Sequence, residues 1–244
     1  RGPALMLVEA PMGEGKTELA FMAYLRLQAI NQHRGLYVAL PTQATGNAMF
    51  KRALTFLEQF VDDHADVQLV HGGASMNDDV QHLRGINQSR EESLSASAWF
   101  SQRKRPLLSP YGVGTVDQAL FSALNVKHHF VRLWGLANRV VVLDEVHAYD
   151  TYTSGLIAAL LRWLKAMGSS VVLMSATLPK AKRDELIRAW GLDPRMMPNQ
   201  SYPRVLLADD SGLRAATFEA RPLAPIQLAS VGEHVEDLAL QAEV

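Results

Sequence analysis

Short apolar runs rich in β-branched residues recur along the chain and are separated by longer stretches with helical periodicity. The runs predict strands at residues 5–8, 36–40, 67–70, 140–143 and 171–174. They do not alternate polar with apolar positions, which is typical of strands that are covered on both faces. The intervening stretches predict helices at residues 17–30, 46–60, 116–125, 153–167 and 180–190. This order predicts an α/β fold, a parallel sheet with helices on both of its faces.

Two regions depart from this alternation. Residues 71–105 are polar and irregular, which predicts an insertion or a long loop. Beyond residue 190 five prolines predict a linker that crosses a surface: Pro194, Pro198, Pro203, Pro222 and Pro225. We therefore expect a domain over residues 1–190 and a linker over residues 191–244.

The composition limits where the protein acts. No apolar run approaches the roughly 20 residues that cross a bilayer, and Arg1-Gly2-Pro3 leads directly into a strand-like run without a secretory leader. The chain has no cysteine, which excludes disulfides, thiolate-bound metals and a cysteine nucleophile. Because this composition suits a reducing compartment, we expect a cytoplasmic protein with no membrane partner.

The charge is nearly balanced, with 24 Lys and Arg against 25 Asp and Glu and a formal net charge of −1. Proteins that bind nucleic acid through diffuse electrostatics usually have a basic excess, so the balance argues mildly against that class. A nucleic-acid partner would have to be held by local contacts, such as backbone amides and helix N-termini that face phosphates.

A phosphate-binding loop is predicted at residues 10–17 (APMGEGKT), between an apolar strand and a helix. The six residues predicted to bind the nucleotide are Met12, Gly13, Glu14, Gly15, Lys16 and Thr17. The glycines let the backbone turn so that its amides face phosphate, while Lys16 reaches the β- and γ-phosphates and Thr17 ligates magnesium. The strict pattern has glycine where this chain has Ala10. The alternative is a chance Gly-Lys-Thr at a helix start.

Acidic side chains follow the buried run at residues 140–143, at the end of a parallel strand where α/β sheets place ligand chemistry. Asp144 is predicted to hold Mg²⁺ opposite Thr17, and Glu145 to orient and deprotonate the water that attacks the γ-phosphate of ATP. His147 is predicted to report the nucleotide state to a neighbouring element. The alternative is a solvated acidic turn that closes the strand.

A serine and a threonine flank Ala176 at the end of the next predicted strand. Ser175 and Thr177 can hydrogen-bond to the acidic motif and so link hydrolysis to a conformational step. The tripeptide alone is a weak signal, because both residue types are common helix N-caps.

In order and spacing these motifs resemble those of superfamily 2 helicases, whose first lobe is a RecA-like P-loop NTPase domain. Residues 10–17, 144–147 and 175–177 resemble motifs I, II and III, and Pro41 and Thr42 resemble motif Ia. Five stretches are similar to the CRISPR-associated helicase-nuclease: residues 41–45 (PTQAT), Trp99 and Phe100 with the basic residues 103–105 (RKR) that follow, 111–120 (YGVGTVDQAL), 144–150 (DEVHAYD) and 175–179 (SATLP).

The resemblance implies an ATP- and Mg²⁺-dependent motor that moves along single-stranded DNA after recruitment to an RNA-guided CRISPR surveillance complex. It implies that the nucleic-acid backbone is contacted by Pro41, Thr42, Thr45 and Thr115, although Thr115 is equally placed to cap the following helix. Residues 1–190 would then be the first ATPase lobe, and residues 191–244 a linker and the start of the segment leading to the second.

A nuclease domain is expected before Arg1 and the second lobe after Val244, so the chain would hold half of an ATPase site. Two alternatives stay open. One is an RNA helicase or a restriction-type translocase, against which the longer stretches at residues 111–120 and 144–150 argue. The other is a nucleotide-binding fragment with no turnover of its own.

Overall fold

The computed structural model describes residues 2–60, 67–70, 106–124, 129–148 and 151–220. Within these ranges eight strands form one sheet: β1 (Leu5–Glu9), β2 (Leu36–Leu40), β3 (Val67–Val70), β4 (Tyr111–Thr115), β5 (Val140–Leu143), β6 (Ser170–Ser175), β7 (Arg204–Asp209) and β8 (Gly212–Thr217). Their spatial order is β3-β4-β2-β5-β6-β1-β7-β8. The six strands from β3 to β1 are parallel, whereas β7 runs antiparallel to β1 and β8 antiparallel to β7.

In the described part of the chain six α-helices connect these strands: α1 (Lys16–Asn31), α2 (Gln43–Phe60), α3 (Val116–Leu120), α4 (His129–Leu136), α5 (Thr151–Ala166) and α6 (Lys180–Ala189). Short 3₁₀ turns cover Pro106–Leu108, Val146–Ala148 and Pro194–Met196. Among the helices of the described ranges, none combines the length and the apolar character that a membrane-spanning segment needs.

The sheet has a hydrophobic core on each face. On one face α1 and α2 bury side chains such as Tyr24 and Phe50 against Val142 of β5. On the other face α3 to α6 pack aliphatic and aromatic side chains, Trp190 among them, against Leu173 of β6. The central strands are therefore covered on both sides, as their unbroken apolar runs predict. The predicted α/β class, a RecA-like parallel sheet with helices on both faces, is confirmed.

Strand β4 is absent from the sequence prediction, and the helix predicted at residues 116–125 is shorter in the structure, where α3 ends at Leu120. The sequence of β4, Tyr-Gly-Val-Gly-Thr, contains two glycines, which are depleted in strands. Pairing with β2 and β3 on its two sides makes it a strand nonetheless. Tertiary pairing thus overrides local preference here.

The structure also differs from the linker predicted over residues 191–244. Strands β7 and β8 lie in that stretch and form a hairpin that extends the sheet beyond β1. Pro194, Pro198 and Pro203 all precede β7 and leave its ladder intact, so the prolines are compatible with a strand that follows them. The insertion predicted at residues 71–105 and the chain beyond residue 220 lie outside the described residues.

Candidate nucleotide site

The predicted chemical motifs follow three neighbouring parallel strands. The phosphate loop follows β1, and Asp144 follows β5. Ser175 of the Ser-Ala-Thr motif is the last residue of β6, the strand that lies between the other two. The amide of Ala10 donates to the carbonyl of Ser175 at 3.1 Å, and the amide of Asp144 donates to the carbonyl of Ala39 at 2.9 Å. Since the carboxyl ends of parallel strands share one sheet edge, the three motifs meet there.

The phosphate loop turns at two glycines with left-handed backbone. Gly13 has φ 81° and Gly15 has φ 74°, and Gly15 directly precedes α1. No atom lies within 4 Å of a Cβ built on Gly13, so backbone conformation rather than space favours glycine there. The loop directs the N-terminus of α1 toward the sheet edge, and the amides of a first helical turn have no intrahelical acceptor. Such an end binds anions.

Lys16 folds back over its own loop. Its Nζ atom donates to the carbonyl of Ala10 at 2.9 Å and to that of Pro11 at 3.0 Å. Met12 in the same loop is exposed, whereas Glu14 and Thr17 are half-buried. The lysine therefore places its ammonium group over the carbonyl side of the loop.

The acidic motif directly follows the buried strand β5, and its backbone turns sharply at Glu145. Glu145 has φ 51°, a left-handed conformation that is uncommon outside glycine and is typical of functional sites. Its amide donates to Oδ1 of Asp144 at 2.9 Å. Burial raises the pKa of Asp144 and the charge of Glu145 raises it further, while this hydrogen bond and the Lys16 ammonium lower it. The structure thus brings Lys16 within electrostatic reach of the acidic pair.

His147 connects the acidic motif to the Ser-Ala-Thr motif. Its Nδ1 atom lies 3.1 Å from Oε2 of Glu145 and 3.2 Å from Oγ of Ser175. The Ser175 hydroxyl donates to the carbonyl of Thr177 at 2.6 Å, which leaves its oxygen able to accept a hydrogen bond from Nδ1–H of His147. Ser175 contacts His147 through its hydroxyl, whereas Thr177 contributes its backbone carbonyl as the acceptor for that hydroxyl. This geometry links the predicted coupling residues to the predicted general base.

Three of the residues expected to contact nucleic acid lie at or directly after the ends of two paired strands. Thr115 ends β4 opposite Leu40 of β2, and Pro41 and Thr42 follow Leu40 directly. Thr42 is exposed. Thr115 is 7% exposed and its side chain makes no capping hydrogen bond with α3, so the capping alternative is not supported.

Thr45 lies in α2, and its side chain is outside the described residues. Contact of these threonines and Pro41 with nucleic acid remains a prediction.

A buried ion-pair group next to the phosphate loop is missing from the sequence prediction. Glu9, at the end of β1, is 1% exposed. Its carboxylate accepts from Nη1 of Arg183 at 2.9 and 3.0 Å and from Nε of Arg204 at 2.7 Å. The only signal for it in the sequence is a charged residue at the end of an apolar strand run.

A phosphate loop, an acidic turn and a Ser-Ala-Thr motif at one edge of this parallel sheet define the RecA-like lobe of a P-loop NTPase. Among curated proteins, the CRISPR-associated endonuclease/helicase Cas3 of Thermus thermophilus is 55% identical over 224 residues, which are 88% of this chain and 24% of that protein. The chain belongs, as a segment, to this Cas3 family of CRISPR-associated helicase-nucleases, which confirms the resemblance seen in its motifs.

Solved structures agree with this assignment, although no protein-family model matches the chain. The crystal structure of T. fusca Cas3-ATP aligns with a TM-score of 0.80 at 35% identity, covering 92% of this chain and 27% of that one. A chain of a CRISPR RNA-guided surveillance complex, pre-nicking, aligns with a TM-score of 0.65 at 31% identity, covering 99% and 27%. The chain spans about a quarter of the length of the curated relatives it matches.

Proposed function

We propose that this chain is the ATP-binding lobe of a single-stranded DNA translocase in CRISPR interference. In this proposal ATP hydrolysis drives the unwinding of DNA, which a nuclease domain elsewhere in the longer protein degrades. The observation that carries it is the meeting of the phosphate loop and the acidic pair at one edge of the sheet, where the charges of Lys16 and Glu145 both act on the half-buried carboxyl group of Asp144.

ATP binds along the phosphate loop in this account. The amides that follow Gly13 and Gly15 donate to phosphate oxygens, and the Lys16 ammonium exchanges its two loop carbonyls for the β- and γ-phosphates. The structure named T. fusca Cas3-ATP supports this for a relative with 35% identity.

The donors at the site fit a magnesium ion. Thr17 offers a hydroxyl at the second residue of α1 and Asp144 offers a carboxylate, both hard oxygen ligands. Because burial raises the pKa of Asp144, a cation beside this carboxylate stabilises its charged form. When bound, Mg²⁺ would be held by Thr17 and Asp144 and would neutralise negative charge on the phosphates.

Glu145 is the general base in the proposed reaction. It lies one residue from Asp144, and its φ of 51° is a left-handed backbone conformation. It accepts a proton from the attacking water as the water oxygen bonds to the γ-phosphorus and the bond from that phosphorus to the oxygen bridging to the β-phosphate breaks, which releases ADP. Nδ1 of His147 lies 3.1 Å from the Glu145 carboxylate and 3.2 Å from the Ser175 hydroxyl. A change in the charge or position of Glu145 therefore alters the contact between His147 and the Ser-Ala-Thr motif.

The partners follow from relatives and from the sheet edge. We propose that single-stranded DNA runs past Pro41, Thr42 and Thr115, at the ends of β2 and β4, and past Thr45 in α2. We also propose that a second lobe completes the ATPase site. An RNA-guided surveillance complex is the proposed recruiting partner, since a chain matched at 31% identity is part of such a complex.

The test is ATP turnover by the full-length protein with Mg²⁺ and after EDTA treatment. We expect turnover to stop in EDTA, to return when Mg²⁺ is added, and to fall roughly a hundredfold or more in Asp144→Asn. The exposed Asp210→Asn is the matched control and should turn over ATP at the unaltered rate. Turnover that persists in EDTA, or an unaffected Asp144→Asn protein, contradicts the proposed site.

A further inference from the structure

The Ser-Ala-Thr motif is held by three hydrogen bonds, one at each of its carbonyls. The Ser175 carbonyl accepts from the amide of Ala10 at 3.1 Å, and the Thr177 carbonyl accepts from the Ser175 hydroxyl at 2.6 Å. The Ala176 carbonyl accepts from the hydroxyl of Tyr202 at 3.0 Å. The first two donors belong to recognised motifs. The third comes from the segment between α6 and β7, to which the sequence assigns no role in the site.

Tyr202 is placed by the strand that follows it. Arg204, the first residue of β7, lies opposite Glu9 in the pairing with β1 and donates to its carboxylate at 2.7 Å. Arg183 of α6 donates to the same buried carboxylate. Two cations on one buried anion fix the start of β7 to the residue that precedes the phosphate loop. The segment carrying Tyr202 therefore cannot shift without disturbing the end of β1.

The Tyr202 ring lies within electrostatic reach of the phosphate loop. Desolvation raises the pKa of its hydroxyl, and the carboxylates of Glu9 and Glu14 raise it further. Glu14 is part of the loop itself. The side chain is 44% exposed, so the hydroxyl exchanges its carbonyl partner for water more readily than a buried group does. Tyr202 thus contacts the Ser-Ala-Thr motif through a hydrogen bond that can open.

We propose that Tyr202 is a positioning residue for ATP hydrolysis. Its hydroxyl holds the Ala176 carbonyl, which sets Ser175 against His147 and so places His147 beside Glu145. This inference rests on the proposed function of the site. It links the segment that precedes β7 to Glu145, the proposed general base, through the contacts of Ala176, Ser175 and His147.

Deleting the hydroxyl while keeping the ring isolates this contact. In the full-length protein, Tyr202→Phe should lower kcat for ATP by about fivefold, as expected for the loss of one neutral hydrogen bond that orients reacting groups. The KM for ATP, the affinity for fluorescent ADP and the melting temperature should stay unchanged. The matched control is Tyr24→Phe, which should keep kcat. This change removes a hydroxyl that donates to the Tyr111 hydroxyl at 3.4 Å and makes no bond to the motif.

The outcomes separate this inference from the function on which it rests. A selective fall in kcat in Tyr202→Phe supports the positioning role. An unchanged kcat overturns it, and so does a joint fall in kcat, nucleotide affinity and melting temperature, which indicates a structural tether. Turnover that Lys16→Ala does not reduce overturns both the function and the inference, whereas turnover that depends on Lys16 with an unaffected Tyr202→Phe overturns the inference alone.

Discussion

Lys16 donates through its ammonium group to the carbonyl of Ala10 at 2.9 Å, so the lysine that we propose binds phosphate is bonded to the loop that carries it. The second bond, to Pro11 at 3.0 Å, holds it from the same side. Both acceptors are neutral carbonyls. A phosphate oxygen carries charge and forms a stronger hydrogen bond with an ammonium group than a neutral carbonyl does. The Lys16 ammonium can therefore exchange its carbonyl acceptors for phosphate oxygens while the loop keeps its fold.

Removing the ammonium group should weaken nucleotide binding. We expect Lys16→Ala to lower the affinity for fluorescent ADP roughly tenfold to a hundredfold, because a hydrogen bond to a charged group contributes about 1.5–3 kcal/mol. The measurement is a fluorescence titration, with Lys51→Ala on the exposed side of α2 as the control. Equal affinity in the two variants would show that residues 10–17 do not bind phosphate.

Glu145→Gln should separate binding from hydrolysis. The amide keeps the size of the side chain but cannot accept the proton of the attacking water, so we expect turnover by the full-length protein to fall roughly 10²- to 10⁴-fold. Affinity for ADP should stay within twofold. The exposed Glu185→Gln serves as the control, and turnover that survives in Glu145→Gln rules out this residue as the general base.

His33 should make folding stability depend on pH. It is 3% exposed, its Nδ1 faces Oδ1 of Asn138 at 3.0 Å, and its Nε2 faces the Ser170 hydroxyl at 2.8 Å. Asn138 requires a proton on Nδ1, and Nε2 accepts from Ser170, which in turn accepts from the amide of Ala4 at 3.1 Å. The buried ring is therefore neutral, and burial lowers its pKa below 6.5.

The sign of the pH effect follows from this lowered pKa. Below pH 6.5 the unfolded chain binds a proton that the folded ring resists, so the contribution of His33 is complete above pH 6.5 and is lost as the pH falls toward the folded pKa. Urea unfolding of the wild type and of His33→Gln between pH 5 and pH 8 measures it. The wild type should lose stability more steeply below pH 6.5, and parallel curves would contradict the assignment.

Arg139 is a buried charge that should cost stability. It is 0% exposed, and none of its guanidinium nitrogens has a hydrogen-bond partner within the described part of the chain. Burial lowers the pKa of this guanidinium to about 9, and the neighbouring Arg34 lowers it as well. We expect Arg139→Met to leave the free energy of unfolding at pH 7 unchanged or to raise it by about 1–4 kcal/mol.

Chemical denaturation at pH 7 checks this expectation, with the exposed Arg188→Met as the control. A loss of more than about 2 kcal/mol in Arg139→Met, of the kind that follows the breaking of a buried pair, would mean that the guanidinium is stabilised by its surroundings after all. The control should change the free energy of unfolding by less than about 0.5 kcal/mol.

The sequence predicts those parts of the site that are local in the chain. The phosphate loop needs only two glycines and a helix start within eight consecutive residues that directly follow a strand, and Asp144 follows its strand directly. The family resemblance depends on the same short stretches. The five predicted strands are all present because buried parallel strands are continuous apolar runs.

Contacts between distant residues could not be predicted in this way. Glu9 lies 174 residues from Arg183 and 195 from Arg204, and no local pattern announces that they meet. Tyr202 stands 26 residues from Ala176 in a proline-containing stretch that predicts a linker. Strand β4 is missed for a related reason, since its glycines disfavour a strand and only its two neighbours in the sheet make it one.

The measurement that tests the central claim most directly is the rate of ATP turnover by the full-length protein with single-stranded DNA, with single-stranded RNA and with neither. We predict strong stimulation by DNA alone, and its loss in Lys16→Ala. Stimulation by RNA alone would contradict the DNA translocase and favour an RNA helicase. No stimulation by either nucleic acid would also contradict it and leave a nucleotide-binding switch as the better account.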